Sequence, residues 1–240
     1  MVRVAVGGED LAGFTSLGFD DHVKLMFPPP GSGEPTLPAA GPNGPAYADG
    51  SVKPTMRDFT PRRYDAAAGE LVLDFAIHAV GPATAWAQAA APGQILGVGG
   101  PRGSIVIPTD FNWHLLIGDE TALPAIGRRL EELPASTRAL AIIEVDNEAE
   151  RQTFTSAAPF EVVWVQRHGG AAGSPAPLLE ALRAARFPTG EYFAWAAAES
   201  QVARAVRQYL ISERGTDKHW IKAAGYWQRG VMAAHDKIED

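Results

Sequence analysis

The sequence predicts a two-domain α/β chain, an antiparallel β-barrel followed by a doubly wound parallel sheet. Three observations predict it. As far as Pro108, short strand-like segments follow one another between Gly/Pro turns, with a single short helix among them. Beyond Pro108, buried-type apolar segments alternate with helical ones, as in a parallel sheet covered on both faces. The 240 residues, 46% hydrophobic and 20% charged, suit one large or two small ordinary globular domains. The boundary is set near residue 108, giving domains over 1–108 and 109–240.

In the first domain, residues 2–6 alternate in the strand manner. A second strand, His22 to Phe27, is stopped by Pro28-Pro29-Pro30. From Pro28 to Pro54 the composition of Pro, Gly, Ala and Asp reads as a long surface loop. Arg57 to Tyr64 is extended, and Pro61 within it demands an edge position or a bulge. Leu71 to Ile77 is a strand, and Ala83 to Ala90 a short helix set between Pro82 and Pro92-Gly93. Ile95–Val98 and Ser104–Ile107 are the remaining strands.

In the second domain, strands are expected at 113–118, 140–145, 162–165, 192–197 and 219–222. Helices are expected at 121–133, 149–155, 177–185 and 201–214, with a helical tail over 231–237. Arg167 to Pro175 is a glycine-rich loop.

Composition removes several functional classes. Without cysteine there are no disulfides and no Cys-ligated zinc or iron–sulfur cluster. The six histidines lack metal-ligand spacing, so no resident metal is expected. A net charge of −7 argues against nucleic acid or an anionic membrane as a general partner. No run reaches the roughly 20 apolar residues of a membrane span, and the N-terminus has no signal-peptide core. The expected location is the cytoplasm.

The chemistry concentrates between Arg57 and Ser104. Arg57 is a planar fork of donors suited to a pyrophosphate. Phe59 supplies a ring and Thr60 a hydroxyl. Gly81-Pro82-Ala83-Thr84 runs into a helix start, where free N–H groups and a hydroxyl make an anion site. The set suits a flat aromatic cofactor that carries phosphates. Singly, each has a plainer reading: a surface arginine, a simple helix start, a structural His78. Lys24, Arg102 and Arg229 likewise read singly as solvated charges, and Tyr226 and Trp227 as core aromatics.

In this order the motifs resemble the siderophore-interacting proteins, a branch of the ferredoxin reductase-like flavoproteins. Arg57-Asp58-Phe59-Thr60 stands for that family's Arg-x-Tyr-Thr, and Asp74-Phe75-Ala76-Ile77-His78 for its Asp-Phe-x-x-His. Gly81-Pro82-Ala83-Thr84-Ala85-Trp86-Ala87 stands for Gly-Pro-Ala-Ser-x-Trp-Ala. Gly118 to Ile126 and Gly225 to Gly230 carry the resemblance over nearly the whole chain. Two departures lie in the motifs, Phe59 for tyrosine and Thr84 for serine. A third is that family members carry an extra strand before the segment matching Val2–Leu11. The barrel is therefore expected to lack a strand or to be closed by another element, and an open edge weakens cofactor retention or favours pairing with another chain.

The resemblance implies an FAD-dependent ferric-siderophore reductase, with FAD on the barrel and an NAD(P)H-binding-like second domain. It implies cofactor contacts from Arg57, Phe59, Thr60, Asp74, Ile77, His78, Ala83, Thr84 and Trp86. In the second domain it implies them from Asp119, Thr121, Tyr226 and Trp227. Asp119 and Glu120 would repel a phosphate set against them, so their turn is expected to face the flavin or nicotinamide. The same acids also favour a helix N-terminus. Ala198-Glu199-Ser200 is expected to border the same crevice. Lys24, Arg102 and Arg229 are implied to hold the anionic ferric siderophore. NADPH, NADH or a ferredoxin would supply electrons, and no side chain acts as acid or base on iron. Two alternatives stay open: a siderophore-binding protein without turnover, and an NAD(P)H-dependent flavin reductase with another acceptor.

Overall fold

The computed structural model describes residues 1–29, 31–41, 44–78, 81–231 and 236–238. The chain divides into two compact units, 1–106 and 107–240.

The first unit is antiparallel. One sheet has the order β1 (Val2–Gly7), β7 (Glu70–Phe75), β6 (Pro61–Asp65), and the other β5 (Thr55–Phe59), β2 (Val23–Phe27), β8 (Gly97–Gly99). Val23, Leu25 and Phe27 from β2 meet Leu71, Leu73 and Phe75 from β7 in one core, joined by Ala87 of helix α1 (Pro82–Ala89). Each such buried apolar side chain contributes about 1.5–3 kcal/mol. The chain passes from one sheet to the other at Thr60. Pro61 opens β6 on a sheet edge, with a register shift between Pro61 and Arg63, as a residue without an N–H requires.

Three expectations for this unit need correction. The stretch from Pro28 to Pro54 is not all loop: β3 (Ala39–Gly41) pairs with β4 (Gly44–Ala46). Residues 104–107 form no strand. Ile105 and Val106 are 53% and 62% exposed, and no ladder takes up their backbone. Ser104 instead donates its hydroxyl to Asp21 Oδ2 at 2.6 Å, a bond that ties this stretch to the loop before β2. The third strand of the second sheet is Gly97–Gly99, shifted from Ile95–Val98.

The second unit is a six-stranded sheet in the order β11 (Phe160–Gln166), β10 (Arg138–Val145), β9 (Trp113–Gly118), β12 (Tyr192–Glu199), β13 (Ile221–Trp227), β14 (Asp236–Ile238). The first five are mutually parallel and β14 is antiparallel to β13. Trp113, Leu115 and Ile117 of β9 pack with α3 (Pro175–Ala184) and α4 (Ser200–Ser212) through Leu178, Leu182, Val206 and Leu210. His114, on the opposite face of the same strand, lies 3.5 Å from Arg129 of α2 (Leu123–Glu132). The sheet is thus covered on both sides, as its apolar strands require. From β9 the chain goes first to β10 on one side and later to β12 on the other, so the strand order reverses between β9 and β12.

The expected helix over 149–155 is a single 3₁₀ turn, Glu148–Glu150, capped by Asn147. The strand expected at 219–222 begins at Ile221, after a 3₁₀ turn held by Asp217. The helical tail is also corrected. Asp236–Ile238 is a strand paired with β13, and Ile238 is 6% exposed against the sheet. Residues 232–235 lie outside the described residues.

Candidate functional site

In the first unit the predicted residues gather around β5, β2 and α1. The register pairs Leu25 with Arg57, Lys24 with Asp58 and Val23 with Phe59. Alternation therefore puts Arg57 and Phe59 on the core side of the sheet and Lys24 with Asp58 on the other. Phe59 sits 4.4 Å from Phe75 and 6.4 Å from Phe27, ring centre to ring centre. Trp86 completes this cluster at 5.7 Å from Phe27 and 5.8 Å from Phe75. Both rings stay half-buried, so each keeps a face or edge towards its surroundings. Arg57 is half-buried as well, and its guanidinium donates to the Met56 carbonyl at 2.8 Å.

Thr60 and Thr84 are 7% and 5% exposed. The Thr84 Oγ1 is buried and has no hydrogen-bond partner among the described residues. It lies in the first turn of α1, beside Ala83, where the leading N–H groups have no intrahelical acceptor. A buried hydroxyl next to free helix N–H groups is what an anionic ligand would complete.

Asp74 is engaged otherwise. Arg3 grips it with two hydrogen bonds, at 2.7 and 2.8 Å, across the β1–β7 ladder. Ile77 is half-buried and His78 exposed, with the imidazole lying against Gly81, where an added Cβ would come within 2.7 Å of Cε1. Lys24 Nζ is 2.7 Å from Asp58 Oδ1. Arg102 is exposed, in the turn that follows β8.

In the second unit the carboxyl ends of the strands carry a dense polar knot. Asp119, 4% exposed, accepts from the Thr121 N–H and hydroxyl at 2.9 and 2.5 Å and from Trp227 Nε1 at 2.8 Å. Burial raises its carboxyl above the usual range, against the pull of those hydrogen bonds. Glu120 takes the Asp146 N–H at 2.7 Å and a bidentate bond from Arg167 at 2.5 and 3.0 Å. Arg167 also reaches Glu144 at 3.1 Å. Burial raises the Glu144 carboxyl too. Burial also works against the charged Arg167, but the bonds and charges of Glu120 and Glu144 outweigh it and hold its pKa above the ordinary value.

Glu199 caps α4, accepting from the Gln201 and Val202 N–H groups, and also takes the Arg229 N–H at 3.3 Å. The Arg229 guanidinium donates to the Ala172 carbonyl. Tyr226 is half-buried, edge-on to Trp195 at 6.1 Å. Gly118 lets strand and helix close up: a Cβ there would strike Ala122 and come within 2.6 Å of the Ala197 carbonyl.

Sequence reasoning did not single out Arg167 or Glu144. The available signal was an acid ending the apolar run Leu140–Ile143 and an arginine between a strand and Gly169-Gly170. Among the described residues no group of His, Asp and Glu could hold a metal ion, and no helix is long and apolar enough to cross a membrane.

Comparison with known proteins places this geometry. Residues 1–105 match the family model described as "Siderophore-interacting FAD-binding domain", and residues 111–230 that described as "Siderophore-interacting protein". The chain is similar to an NADPH-dependent ferric-chelate reductase of Escherichia coli, with 36% identity, 94% of this chain and 86% of the relative covered. It is similar to the ferric vibriobactin reductase ViuB of Vibrio cholerae, with 32% identity, 96% and 84% covered. A crystal structure of a siderophore utilization protein from T. fusca superposes with a TM-score of 0.87 at 41% identity, over 97% of this chain and 88% of that one. The chain belongs to the siderophore-interacting protein family.

Proposed function

We propose that this protein is an FAD-dependent ferric-siderophore reductase of the cytoplasm. It reduces Fe(III) in a siderophore to Fe(II), with electrons from NADPH or NADH, or from a ferredoxin. The family supports this reading, as does the reductase activity named for its relatives. The observation in this chain that carries it is the buried, unpartnered Thr84 hydroxyl beside the free N–H groups of α1.

FAD fits the residues of the first unit. Thr84 and the Ala83 and Thr84 N–H groups would bind its pyrophosphate, with the Arg57 fork as counter-charge. Phe59 and Trp86, braced by Phe27 and Phe75, offer ring surface, and Thr60 a second buried hydroxyl. Asp74 supports this set through its Arg3 pair, as a brace between β1 and β7. Ile77 and His78 border the path into α1. The chemistry FAD supplies when bound is the conversion of a donor's electron pair into single electrons for Fe(III). Lys24 and Arg102 would attract the anionic chelate to the first unit by charge, with Asp58 as the resting partner of Lys24, and Arg229 would do so on the second unit. The second unit is the nicotinamide-nucleotide domain, with Asp119, Thr121, Tyr226 and Trp227 at its ligand end.

The test is an anaerobic visible spectrum of the purified protein. Flavin bands should bleach with NADPH or NADH and return on adding a ferric siderophore. Bleaching by dithionite alone would assign a protein donor. No flavin even after incubation with FAD would contradict the reading.

A further inference from the structure

The sheet of the second unit ends on two unlike strands. On one side lies β14, three residues long. On the other lies β11, seven residues long and paired, among the described residues, with β10 alone. Natural sheets guard an outer strand with lysine, proline, a bulge or shortness. Phe160-Glu161-Val162-Val163-Trp164-Val165-Gln166 uses none of these, and its pairing with β10 runs without a register shift. Glu161 is its one charge.

The pairing with β10 shows which backbone groups are left over. The Ala139 N–H donates to the Pro159 carbonyl at 3.0 Å, and the Arg167 N–H to the Val145 carbonyl at 2.9 Å. Alternate residues of a strand turn their backbone groups to the same side. Glu161, Val163 and Val165, in step with Pro159 and Arg167, therefore face β10. Phe160, Val162, Trp164 and Gln166 turn their N–H and C=O groups outward, where no bond reaches them among the described residues. The edge is also apolar: Phe160 is 38% exposed and Val162 to Trp164 are half-buried. Val163 and Val165 pack on the core that holds α3, and Trp164 stacks on Phe154 at 6.0 Å.

Two copies of this strand fit each other in one antiparallel register. With Val163 opposite Val163, Phe160 meets Gln166 and Val162 meets Trp164. Every outward N–H and C=O of the strand then finds a partner, because such facing residues exchange two hydrogen bonds. A two-fold at Val162 instead leaves Gln166 beyond the paired stretch. A two-fold at Trp164 sets Phe160 against His168, whose N–H is already given to the Asp146 carbonyl at 2.9 Å. In the Val163 register, Val162 against Trp164 is a β-branched–aromatic pair of the kind that stabilises sheets. The two Glu161 carboxylates stand apart, each opposite a Val165.

We propose that β11 is the interface of a homodimer, in which a second copy of this chain adds its β11 antiparallel across a two-fold axis at Val163. The two sheets become one, and the interface closes on itself. Backbone bonds supply its affinity, as in other strand additions. The pairing needs neither cofactor nor iron, so it stands apart from the reductase reading.

The chain has no cysteine, so single cysteines report the register. Val163→Cys sets a thiol opposite its own copy in a non-hydrogen-bonded pair, with Cα atoms about 4.5 Å apart, within the span of a disulfide. Mild oxidation of this variant should give a cross-linked dimer. Glu161→Cys, whose copies stand roughly 13 Å apart by the rise of a strand, should stay unlinked. No linkage in Val163→Cys, or equal linkage in both variants, overturns the proposal. In sedimentation velocity the wild type should show a dimer that dissociates on dilution. Val162→Pro removes an outward N–H and spares the bonds to β10. It should raise the dissociation constant at least about tenfold, each copy losing one hydrogen bond. A wild type that is monomeric, or a dimer indifferent to Val162→Pro, overturns the proposal. Should Val162→Pro not fold, the two cysteine variants decide.

Discussion

The two units differ in how the polar groups of their candidate sites are paired. In the first, Thr84 leaves a buried hydroxyl without a partner among the described residues, and Arg57 makes one bond to its own neighbour's carbonyl. In the second, Trp227 bonds Asp119 and Arg167 bonds Glu120 and Glu144 at the strand ends, while Glu144 Oε2 and Arg167 Nε stay buried without a partner among the described residues. A buried polar group left open is unstable alone and gains from a ligand. A bonded pair such as Trp227 and Asp119 gains nothing from a ligand unless the ligand replaces one of its members. In the first unit the open Thr84 hydroxyl is what a bound cofactor would complete.

The sharpest break of this contrast is at Arg167. Arg167→Met would leave Glu144 and Glu120 as uncompensated charges, with side chains only 3% and 16% exposed. The expected loss is about 3–5 kcal/mol of stability, read by chemical denaturation. An equal loss on removing Arg57, which no carboxylate pairs among the described residues, would erase the contrast.

A second effect comes from pH. Burial, with Arg129 adding its charge, lowers the His114 pKa to about 3. The unfolded histidine titrates near its ordinary value, about 6.5. The unfolded chain therefore takes up the proton first. Stability from a neutral His114 is present above about pH 6.5 and is lost as pH falls towards the folded value, by about 2 kcal/mol at pH 5. Asp119 and Glu144 have raised values and act with the opposite sign, losing stability as pH rises through their own range. The difference between wild type and His114→Gln isolates the histidine. Parallel stability–pH curves for the two would sink this assignment.

Thr84→Val sharpens the comparison directly. In the protein without FAD it should cost almost no stability, because no partner is lost. FAD affinity should fall about tenfold, the worth of one hydrogen bond to a charged group. Fluorescence titration of apoprotein with FAD reads the second number and a thermal melt the first. The smallest effects belong to Lys24→Ala and Arg102→Ala. Each should raise KM for an anionic ferric chelate about two- to fivefold, the range of exposed charges, without lowering flavin content. An unchanged KM in both would remove these cations from the substrate site.

Legibility in the sequence followed the range of the interactions. The alternation of Val2–Val6 and the apolar run Leu140–Val145 are local signals, and both appear as strands. Pro61 was legible because its missing N–H acts on its own strand wherever that strand lies. Ser104–Ile107 misled because three of its residues have strand-like side chains, while a strand also needs a partner. The tail misled because pairing of Ile238 with Ala223 depends on a neighbouring strand and not on helical propensity. The site divides the same way. The Gly-Pro-Ala-Thr turn reads from consecutive residues. The Trp227–Asp119 bond spans 108 positions and the Arg167–Glu120 pair 47, and no local pattern announces either.

One measurement tests the central claim most directly. The protein is loaded with FAD, photoreduced without oxygen, and mixed with a ferric siderophore in the presence of a ferrous-iron indicator. The account predicts return of the oxidised flavin bands with about two ferrous ions trapped per FAD, because the flavin yields an electron pair and each iron takes one electron. Flavin that stays reduced beside the ferric siderophore, with no ferrous iron formed, would contradict it.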